Sequence, residues 1–243
     1  MLDNSILVLS ANCQGLRDSK KRADVINYFK ETNANIICLQ DTHLVTSDIK
    51  DFHNVWEDEF YIHGHKTNSR GVAMLFRKNF DFIVTDVTRD TEGNLLQLQF
   101  ETFNMKINSL NIYGPNSDNP SFFSTVEKAV VKSVVDYNII CGDFNLVLDP
   151  VKDCSNYKNI NNPRSQKKIH EIIENCDLLD IYRLMHPNDK RFTWRRKNPF
   201  KQARLDYFLI SNSMIDLVKN CTIKPSYRSD HSSLLLELRF SEF

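Results

Sequence analysis

Short apolar runs with the character of β-strands recur along almost the whole chain, separated by polar segments. They cover residues 6–10, 36–39, 72–76, 82–87, 95–100, 105–112, 137–141, 205–210 and 234–240. Several central runs alternate apolar and polar positions, as residues 96–100 do. This alternation predicts antiparallel strands with one covered face.

Helical periodicity lies between these runs. Residues 20–30 place apolar side chains at helical spacing, and residues 121–135 and 164–175 each follow an Asn-Pro pair, which is a helix-start signal. Strands and helices interleave over residues 1–243 without a break in composition. The pattern therefore predicts one α/β domain, in which two mixed sheets pack face to face and helices lie outside.

The amino-acid composition mainly excludes classes of protein and kinds of site. The charges of the 31 basic and 31 acidic residues cancel, which argues weakly against a protein that coats nucleic acid non-specifically. No apolar run approaches the roughly 20 residues of a membrane span, and no signal peptide is recognisable, so we expect an intracellular protein without a membrane partner. None of the six cysteines forms a CxxC pair, so no zinc site is expected, and Cys38 and Cys141 are predicted core residues.

Polar side chains cluster where the predicted strands end. If those ends converge, they gather four carboxylates, two amides, a phenol and an imidazole, and the carboxylates would raise one another's pKa values. A hard cation such as Mg²⁺ relieves that repulsion, and the set then suits phosphodiester hydrolysis. Each cluster taken singly is equally typical of a turn, so the interpretation depends on the combination. The residues are Asn12, Asp41, Tyr113, Asp143, Asn145, Asp206, Asp230 and His231.

The ordered motifs resemble those of the exonuclease–endonuclease–phosphatase superfamily, which includes apurinic endonucleases and pancreatic deoxyribonuclease. The resemblance extends over residues 5–240, and its details are most similar to LINE-type retrotransposon endonucleases. It implies an α/β, deoxyribonuclease I-like four-layer sandwich of two mixed, largely antiparallel sheets flanked by helices. The motifs are Asn12-Cys13-Gln14-Gly15-Leu16, Gln40-Asp41-Thr42-His43-Leu44, Asn111-Ile112-Tyr113-Gly114-Pro115-Asn116, Gly142-Asp143-Phe144-Asn145, Phe192-Thr193-Trp194-Arg195-Arg196, Arg204-Leu205-Asp206-Tyr207-Phe208 and Ser229-Asp230-His231.

The resemblance implies a role for each matching position. One Mg²⁺ or Mn²⁺ ion would be held by Asp41, Asn12 and Asp230. Asp143 would handle the attacking water, Asn145 would contact the transition state and Tyr113 would lie near the scissile phosphate. Asp206 would orient His231, the catalytic histidine, which fits the general rule that a buried carboxylate fixes the tautomer of an imidazole.

Two positions depart from the family pattern. Asp41 stands where the family has a glutamate, so its carboxylate is shorter by one methylene. We therefore expect weak Mg²⁺ affinity, better support by Mn²⁺, and a gain in activity at limiting Mg²⁺ from Asp41→Glu. Gln14 stands where apurinic endonucleases carry an acidic residue, which weakens the abasic-site interpretation.

Residues 190–204 contain seven basic residues and no acidic one. A solvated charged hairpin would have the same composition, but the position of this stretch directly before Asp206 favours DNA binding. Trp194 or Phe200 could act as a wedge between bases, or both could belong to the core. The predicted DNA contacts are Asn116, Thr193, Arg195, Arg196, Lys197, Lys201 and Arg204.

Together these features predict a metal-dependent endonuclease that nicks double-stranded nuclear DNA and leaves a 3′-hydroxyl. By resemblance, that hydroxyl would prime reverse transcription (target-primed reverse transcription), and the chain would be the N-terminal domain of a longer protein with a covalently linked reverse transcriptase. Three alternatives remain open. They are an apurinic/apyrimidinic repair endonuclease, a phosphatase or RNA deadenylase on the same fold, and a weakly active or inactive DNA-binding remnant caused by the aspartate at position 41.

Overall fold

Two six-stranded sheets form the centre of the protein in a computed structural model that describes residues 5–66, 68–156 and 162–240. The first sheet runs β14 (Val218–Lys224), β15 (Ser233–Arg239), β1 (Ser5–Asn12), β2 (Ile36–Gln40), β4 (Val72–Phe76) and β3 (Phe60–His63). The second runs β10 (Leu178–Asp180), β13 (Asp206–Ser211), β8 (Tyr137–Asp143), β7 (Met105–Tyr113), β6 (Leu95–Thr102) and β5 (Ile83–Arg89). A third, small sheet contains β11 (Trp194–Arg196), β12 (Lys201–Ala203) and β9 (Cys154–Ser155).

Helices cover the outer faces of both large sheets. Alternate residues of each strand point to opposite faces, so Val8 joins the core between the sheets while Leu9 joins the core beneath α1 (Ser19–Lys30). A third core lies between the second sheet and the helices α3 (Pro120–Val131) and α4 (Pro163–Asn175). The predicted four-layer sandwich is confirmed, and Cys38 and Cys141 are fully buried between its sheets. Short helices α2 (Ile49–Phe52) and α5 (Ile181–Met185) complete the described elements, with 3₁₀ turns at Thr46–Asp48 and Asn212–Leu217.

Two sequence predictions about these layers were wrong. The helix α3 ends at Val131 instead of residue 135, because the Ser133 hydroxyl donates to the Val130 carbonyl just beyond the helix end and Val134 is left 89% exposed. The alternation of residues 96–100 does not mark an exposed face. Gln97 is buried against the helix layer, where its amide donates to Asn108 Oδ1 (2.9 Å) and to the Ala129 carbonyl (3.1 Å).

A buried polar contact fixes the two sheets relative to each other. The Gln40 amide at the end of β2 donates to Asn111 Oδ1 on β7 (2.7 Å), and Asn111 Nδ2 donates to the carbonyls of Ala73 (2.8 Å) and Leu39 (3.0 Å). Buried N–H donors cost free energy unless they are paired, so the hydrogen bonds donated by these two amides favour one register of the sandwich. Within the described residues, no helix is long and apolar enough to cross a membrane.

Candidate active site

Strand ends from both sheets meet at one end of the sandwich. The parallel pair β1 and β2 ends there, in Asn12 and just before Asp41, and the parallel pair β7 and β8 ends there in Tyr113 and Asp143. The antiparallel strand β13 begins at the same end, with Asp206 directly opposite Asp143. The topology therefore brings together side chains that are far apart in the sequence.

A cavity of about 580 Å³ opens at this end. It is lined by all the predicted metal ligands and by all the predicted catalytic residues except Asp206, which lies behind His231. The predicted residues on the cavity wall are Asn12, Asp41, Tyr113, Asn116, Asp143, Asn145, Asp230 and His231. Burial raises the pKa of the Tyr113 hydroxyl, and the carboxylates of Asp41 and Asp143 raise it further.

His231 is held between two buried carboxylates. Its Nδ1 lies 2.9 Å from Asp206 Oδ2, and its Nε2 lies 3.7 Å from Asp143 Oδ2. The contact with Asp206 fixes Nδ1 as the protonated nitrogen, which turns Nε2 toward the cavity. Burial alone would lower the pKa of His231, but the charges of Asp206 and Asp143 outweigh it and raise the pKa. The raised pKa favours the imidazolium form, in which Nε2 also carries a proton and can donate.

Asp143 is fixed by two donors of its own. Its Oδ2 accepts from Asn12 Nδ2 (2.9 Å) and its Oδ1 accepts from the backbone N–H of Asn145 (2.8 Å). Burial raises the pKa of Asp143, the charge of His231 opposes that effect, and Asp206 adds to it. A carboxylate whose pKa is raised toward neutrality is suited to accept a proton from a bound water.

Within the described ranges, two sets of residues are considered as metal ligands. Asp143, Asp206 and His231 have ligand atoms within 4.8 Å of one another. That set does not suit a cation, because the proton on His231 Nδ1 points at Asp206 and both oxygens of Asp143 already accept hydrogen bonds. The second set is the predicted one, around Asp41.

The set around Asp41 offers hard oxygen atoms on the cavity wall. One oxygen of Asp41 pairs with His43 Nε2 (3.0 Å), Asn12 Oδ1 accepts from the Gln14 N–H (3.0 Å), and Asp230 Oδ2 accepts from Trp194 Nε1 (3.0 Å). Burial raises the pKa of Asp41, and the nearby His43 partly opposes that rise. Carboxylate and amide oxygens with room for water are the ligands that Mg²⁺ prefers, so this donor set fits one such ion.

His43 is a site residue to which the sequence analysis gave no role. Its Nδ1 lies 2.8 Å from the place where a side chain at Gly15 would begin, so a larger residue at position 15 would displace the ring. Its backbone N–H donates to the Arg70 carbonyl (2.7 Å), and the Gly15 N–H donates to the Asp41 carbonyl (2.7 Å). The motif Gln40-Asp41-Thr42-His43 was the available signal, but the two-residue spacing does not reveal that the side chains meet.

The predicted DNA contacts divide into exposed and buried residues. Arg195, Arg196 and Lys197 are exposed on the hairpin of β11 and β12, and Lys201 is half-buried on β12. Phe200 at the hairpin tip is 52% exposed, so it is not a core residue. Trp194 is half-buried on the cavity wall, with its indole N–H on Asp230.

The predictions for Arg204 and Thr193 as DNA contacts were wrong. Arg204 is fully buried and makes four hydrogen bonds, of 2.6–2.9 Å, to the carboxylates of Asp153 and Asp180. Thr193 is also fully buried, and its hydroxyl accepts from the backbone N–H groups of Leu205 (2.9 Å) and Asp206 (3.2 Å). Neither side chain is accessible to DNA, because Arg204 is enclosed by its two carboxylates and Thr193 links the small sheet to the start of β13.

Comparisons with known proteins agree with this fold. Residues 9–231 match the model of the Endonuclease/Exonuclease/phosphatase family. The "Transposon TX1 uncharacterized 149 kDa protein" of Xenopus laevis is 25% identical over 243 residues, which cover 96% of this chain and 18% of that protein. An exodeoxyribonuclease of Bacillus subtilis (strain 168) is 22% identical over 250 residues, which cover 92% of this chain and 96% of that one. The chain thus spans less than a fifth of the Xenopus relative.

A solved structure shows the same architecture. The AP endonuclease LMAP from Leishmania major superposes with a TM-score of 0.80 at 18% identity, covering 98% of this chain and 89% of that one. At this identity the likeness establishes the fold and leaves substrate and reaction to be argued from the site.

Proposed function

The chain belongs to the Endonuclease/Exonuclease/phosphatase family, and we propose that it is a divalent-metal-dependent DNA endonuclease of the LINE-type retrotransposon class. The named relatives include a transposon protein and an exodeoxyribonuclease, which supports DNA as the substrate. The observation that carries the proposal is the chain of contacts from Asp206 through His231 to Asp143, at the wall of a cavity that also contains Asp41.

Asp206, His231 and Asp143 each have a part in hydrolysis. Asp143, fixed by Asn12 and Asn145, orients the attacking water and accepts its proton. His231 donates from Nε2 to a phosphate oxygen, and Asp206 holds the ring in the orientation that allows this. The attack breaks the bond between phosphorus and the 3′ oxygen, which takes up a proton from solvent and leaves as the 3′-hydroxyl. Tyr113 lies on the same wall and presents its hydroxyl to the phosphate.

The residues around Asp41 have a separate part in the reaction, which is to bind the metal ion. Asp41, with Asn12 and Asp230, would hold one Mg²⁺ or Mn²⁺ ion, which when bound neutralises charge on the phosphate. With a single half-buried carboxylate at its centre, this set is expected to bind the ion weakly without DNA.

The exposed basic residues of the hairpin lie beside the cavity and would contact the phosphate backbone of double-stranded DNA. We propose that nicking leaves a 3′-hydroxyl that primes reverse transcription on nuclear DNA. Residues 1–243 would form one domain, and the resemblance to LINE-type endonucleases implies a reverse transcriptase domain in the same protein. The Xenopus relative, of which the chain covers 18%, is a longer transposon protein.

Plasmid nicking tests the proposal. Supercoiled plasmid should become open-circular with Mg²⁺ or Mn²⁺ and should remain supercoiled with EDTA. His231→Ala and Asp143→Ala should each slow nicking by on the order of 10²-fold or more while the protein stays folded. Near-wild-type nicking by either folded variant would refute the assignment of the site. No metal-dependent nicking by the wild type would favour the inactive DNA-binding remnant.

A second candidate function is apurinic endonuclease activity. It is favoured by the apolar side of the same cavity, which is formed by Leu146, Val147, Leu205 and Trp194 and could receive a sugar that lacks its base. A duplex with an abasic analogue, compared with the same plain duplex, separates the two. Cleavage confined to the abasic position would replace the retrotransposon interpretation with repair.

A further inference from the structure

A second groove, of about 830 Å³, adjoins the active-site cavity. Gln14, Asp230 and His231 line both, so the groove leads directly into the candidate active site. One wall is the hairpin of β11 and β12. The other is formed by residues 224–229, which begin at the last residue of β14 and were not predicted to contact DNA; we call this segment the second wall.

The groove concentrates positive charge in a chain whose net charge is zero. Six basic side chains line it, against one acidic residue, Asp230. Within the described residues, ion pairs tie Arg191 to Asp189 (3.5 Å) and Arg228 to Asp24 (3.1 Å). The other four basic residues have no carboxylate within ion-pair distance in that part of the chain, and they are Arg195, Arg196, Lys197 and Lys224. Such a surface attracts a polyanion.

The second wall is held in place by the helix α1. The Tyr28 hydroxyl donates to the Pro225 carbonyl (2.8 Å), and the rings of Tyr28 and Tyr227 stack with centroids 5.6 Å apart. The ion pair between Arg228 and Asp24 adds a third contact to the same helix. A wall fixed before binding loses little conformational freedom when a ligand arrives, which favours a binding role over that of a solvated loop.

We propose that this groove binds the DNA backbone beside the nick, with the second wall contacting phosphates from the side opposite the hairpin. The inference rests on the proposed function, because continuity with the cavity makes the occupant the same DNA that is cleaved. Lys224 is the principal phosphate contact of the second wall. Arg228 contributes less, because Asp24 already partly neutralises it.

Phe200 supports a nucleic acid rather than an acidic protein surface as the occupant. The ring lies on the hairpin side of the groove, and 52% of it is exposed among the basic residues. Base stacking rewards an exposed ring inside a basic groove, whereas an acidic peptide gains little from it.

The test measures DNA binding without cleavage. Fluorescence anisotropy of a labelled 20-base-pair duplex, in EDTA and over a series of salt concentrations, gives the slope of log affinity against log salt. Lys224→Ala should reduce that slope by about one unit, because one phosphate contact is lost. The matched control is Lys219→Ala on the same strand, an exposed lysine that does not line the groove. It should leave the slope at the wild-type value.

The outcomes separate the groove from the proposed function. A wild-type slope for folded Lys224→Ala overturns the second wall as a DNA contact, even if the protein nicks plasmid. Equal losses for Lys224→Ala and Lys219→Ala overturn it as well, because they would indicate a general charge effect. A specific loss at Lys224 supports the groove even if the wild type proves unable to nick, in which case only the endonuclease proposal fails.

Discussion

Arg204 and Asp206 stand two positions apart, yet they belong to two buried charge networks with different purposes. Arg204 is surrounded by Asp153 and Asp180, and its guanidinium lies 4.4 Å from the centre of the Tyr207 ring. Asp206 faces the other way and contacts His231, which in turn approaches Asp143. One short segment thus supplies both a structural ion cluster and part of the candidate active site.

The two networks differ in completeness. Among the described residues, no buried side-chain atom of Arg204, Asp153 or Asp180 lacks a hydrogen-bond partner, and the unpaired atom of their network is Nε of Arg183, which also contacts Asp153. In the other network the carboxylate itself is incompletely paired, because Asp206 Oδ1 has no partner. The Arg204 network has a cation between its two carboxylates, while Asp206 raises the pKa of Asp143 by repulsion. A network whose carboxylates are fully paired with cations, here called the closed network, holds the fold together. One with an unpaired carboxylate oxygen beside a cavity, here called the incomplete network, indicates chemistry.

The largest expected effect concerns the closed network. Arg204→Ala leaves two carboxylates, Asp153 and Asp180, close together and without their main cation. Removing one partner of a buried ion cluster typically costs about 3–5 kcal/mol. We expect urea denaturation to show a loss of that order, whereas the exposed control Arg239→Ala should change little. A fully stable Arg204→Ala protein would show that the network does not hold β9 and β10 in place.

The next effect concerns the incomplete network. Asp206→Asn keeps the shape of the side chain but removes the charge that orients and stabilises His231. We expect plasmid nicking to slow by on the order of 10²-fold. The free energy of unfolding should change by no more than about 1 kcal/mol, because relief of repulsion with Asp143 offsets a weaker hydrogen bond. Asp216→Asn, which alters an exposed carboxylate, is the control. Destabilisation comparable to that of Arg204→Ala would remove the distinction between the two networks.

The sequence was sufficient to predict the strands that form the sandwich but not the short peripheral strands. Strands such as β1, β2 and β4 are largely buried, so they appear as mostly continuous apolar runs. The short strands β9, β11 and β12 are partly exposed and have two or three residues each, so they carry almost no periodic signal. Gln97 shows a second limit, because a polar residue can be buried when a helix layer supplies its hydrogen-bond partners.

The candidate site, like the strands, could be predicted from the sequence only in part. Motif order was enough to select residues that the fold gathers around one cavity. It was not enough to separate Arg204 from its exposed neighbours on the hairpin, because composition does not reveal distant partners such as Asp153 and Asp180. Lys224 was missed for a related reason, since it faces the hairpin only through the pairing of β14 with β15.

The smallest effect concerns Asp41. The sequence predicted that Asp41→Glu would help, because a glutamate reaches one methylene further. The structure gives a physical reason for the opposite sign in the wild-type background. His43 Nε2 already engages the Asp41 carboxylate at 3.0 Å, and Gly15 lies directly behind the ring. Both Asp41 and His43 have positive φ angles, of 51° and 58°, so the backbone has little freedom to adjust.

A longer side chain at position 41 must therefore push against His43 or lose its hydrogen bond. We expect Asp41→Glu alone to weaken metal binding, and His43→Ala alone to weaken it by roughly 10–100-fold, as loss of a residue that orients a ligand usually does. In the His43→Ala background, however, Asp41→Glu should improve binding, because the space is then open. The two changes would be coupled by about 0.5–3 kcal/mol, which is typical of side chains in contact. Mn²⁺ titration by calorimetry without DNA, together with Mg²⁺ dependence of nicking, measures all four proteins. Additive effects would mean that His43 does not position Asp41, and a gain from Asp41→Glu alone would restore the simpler view that the aspartate is only too short.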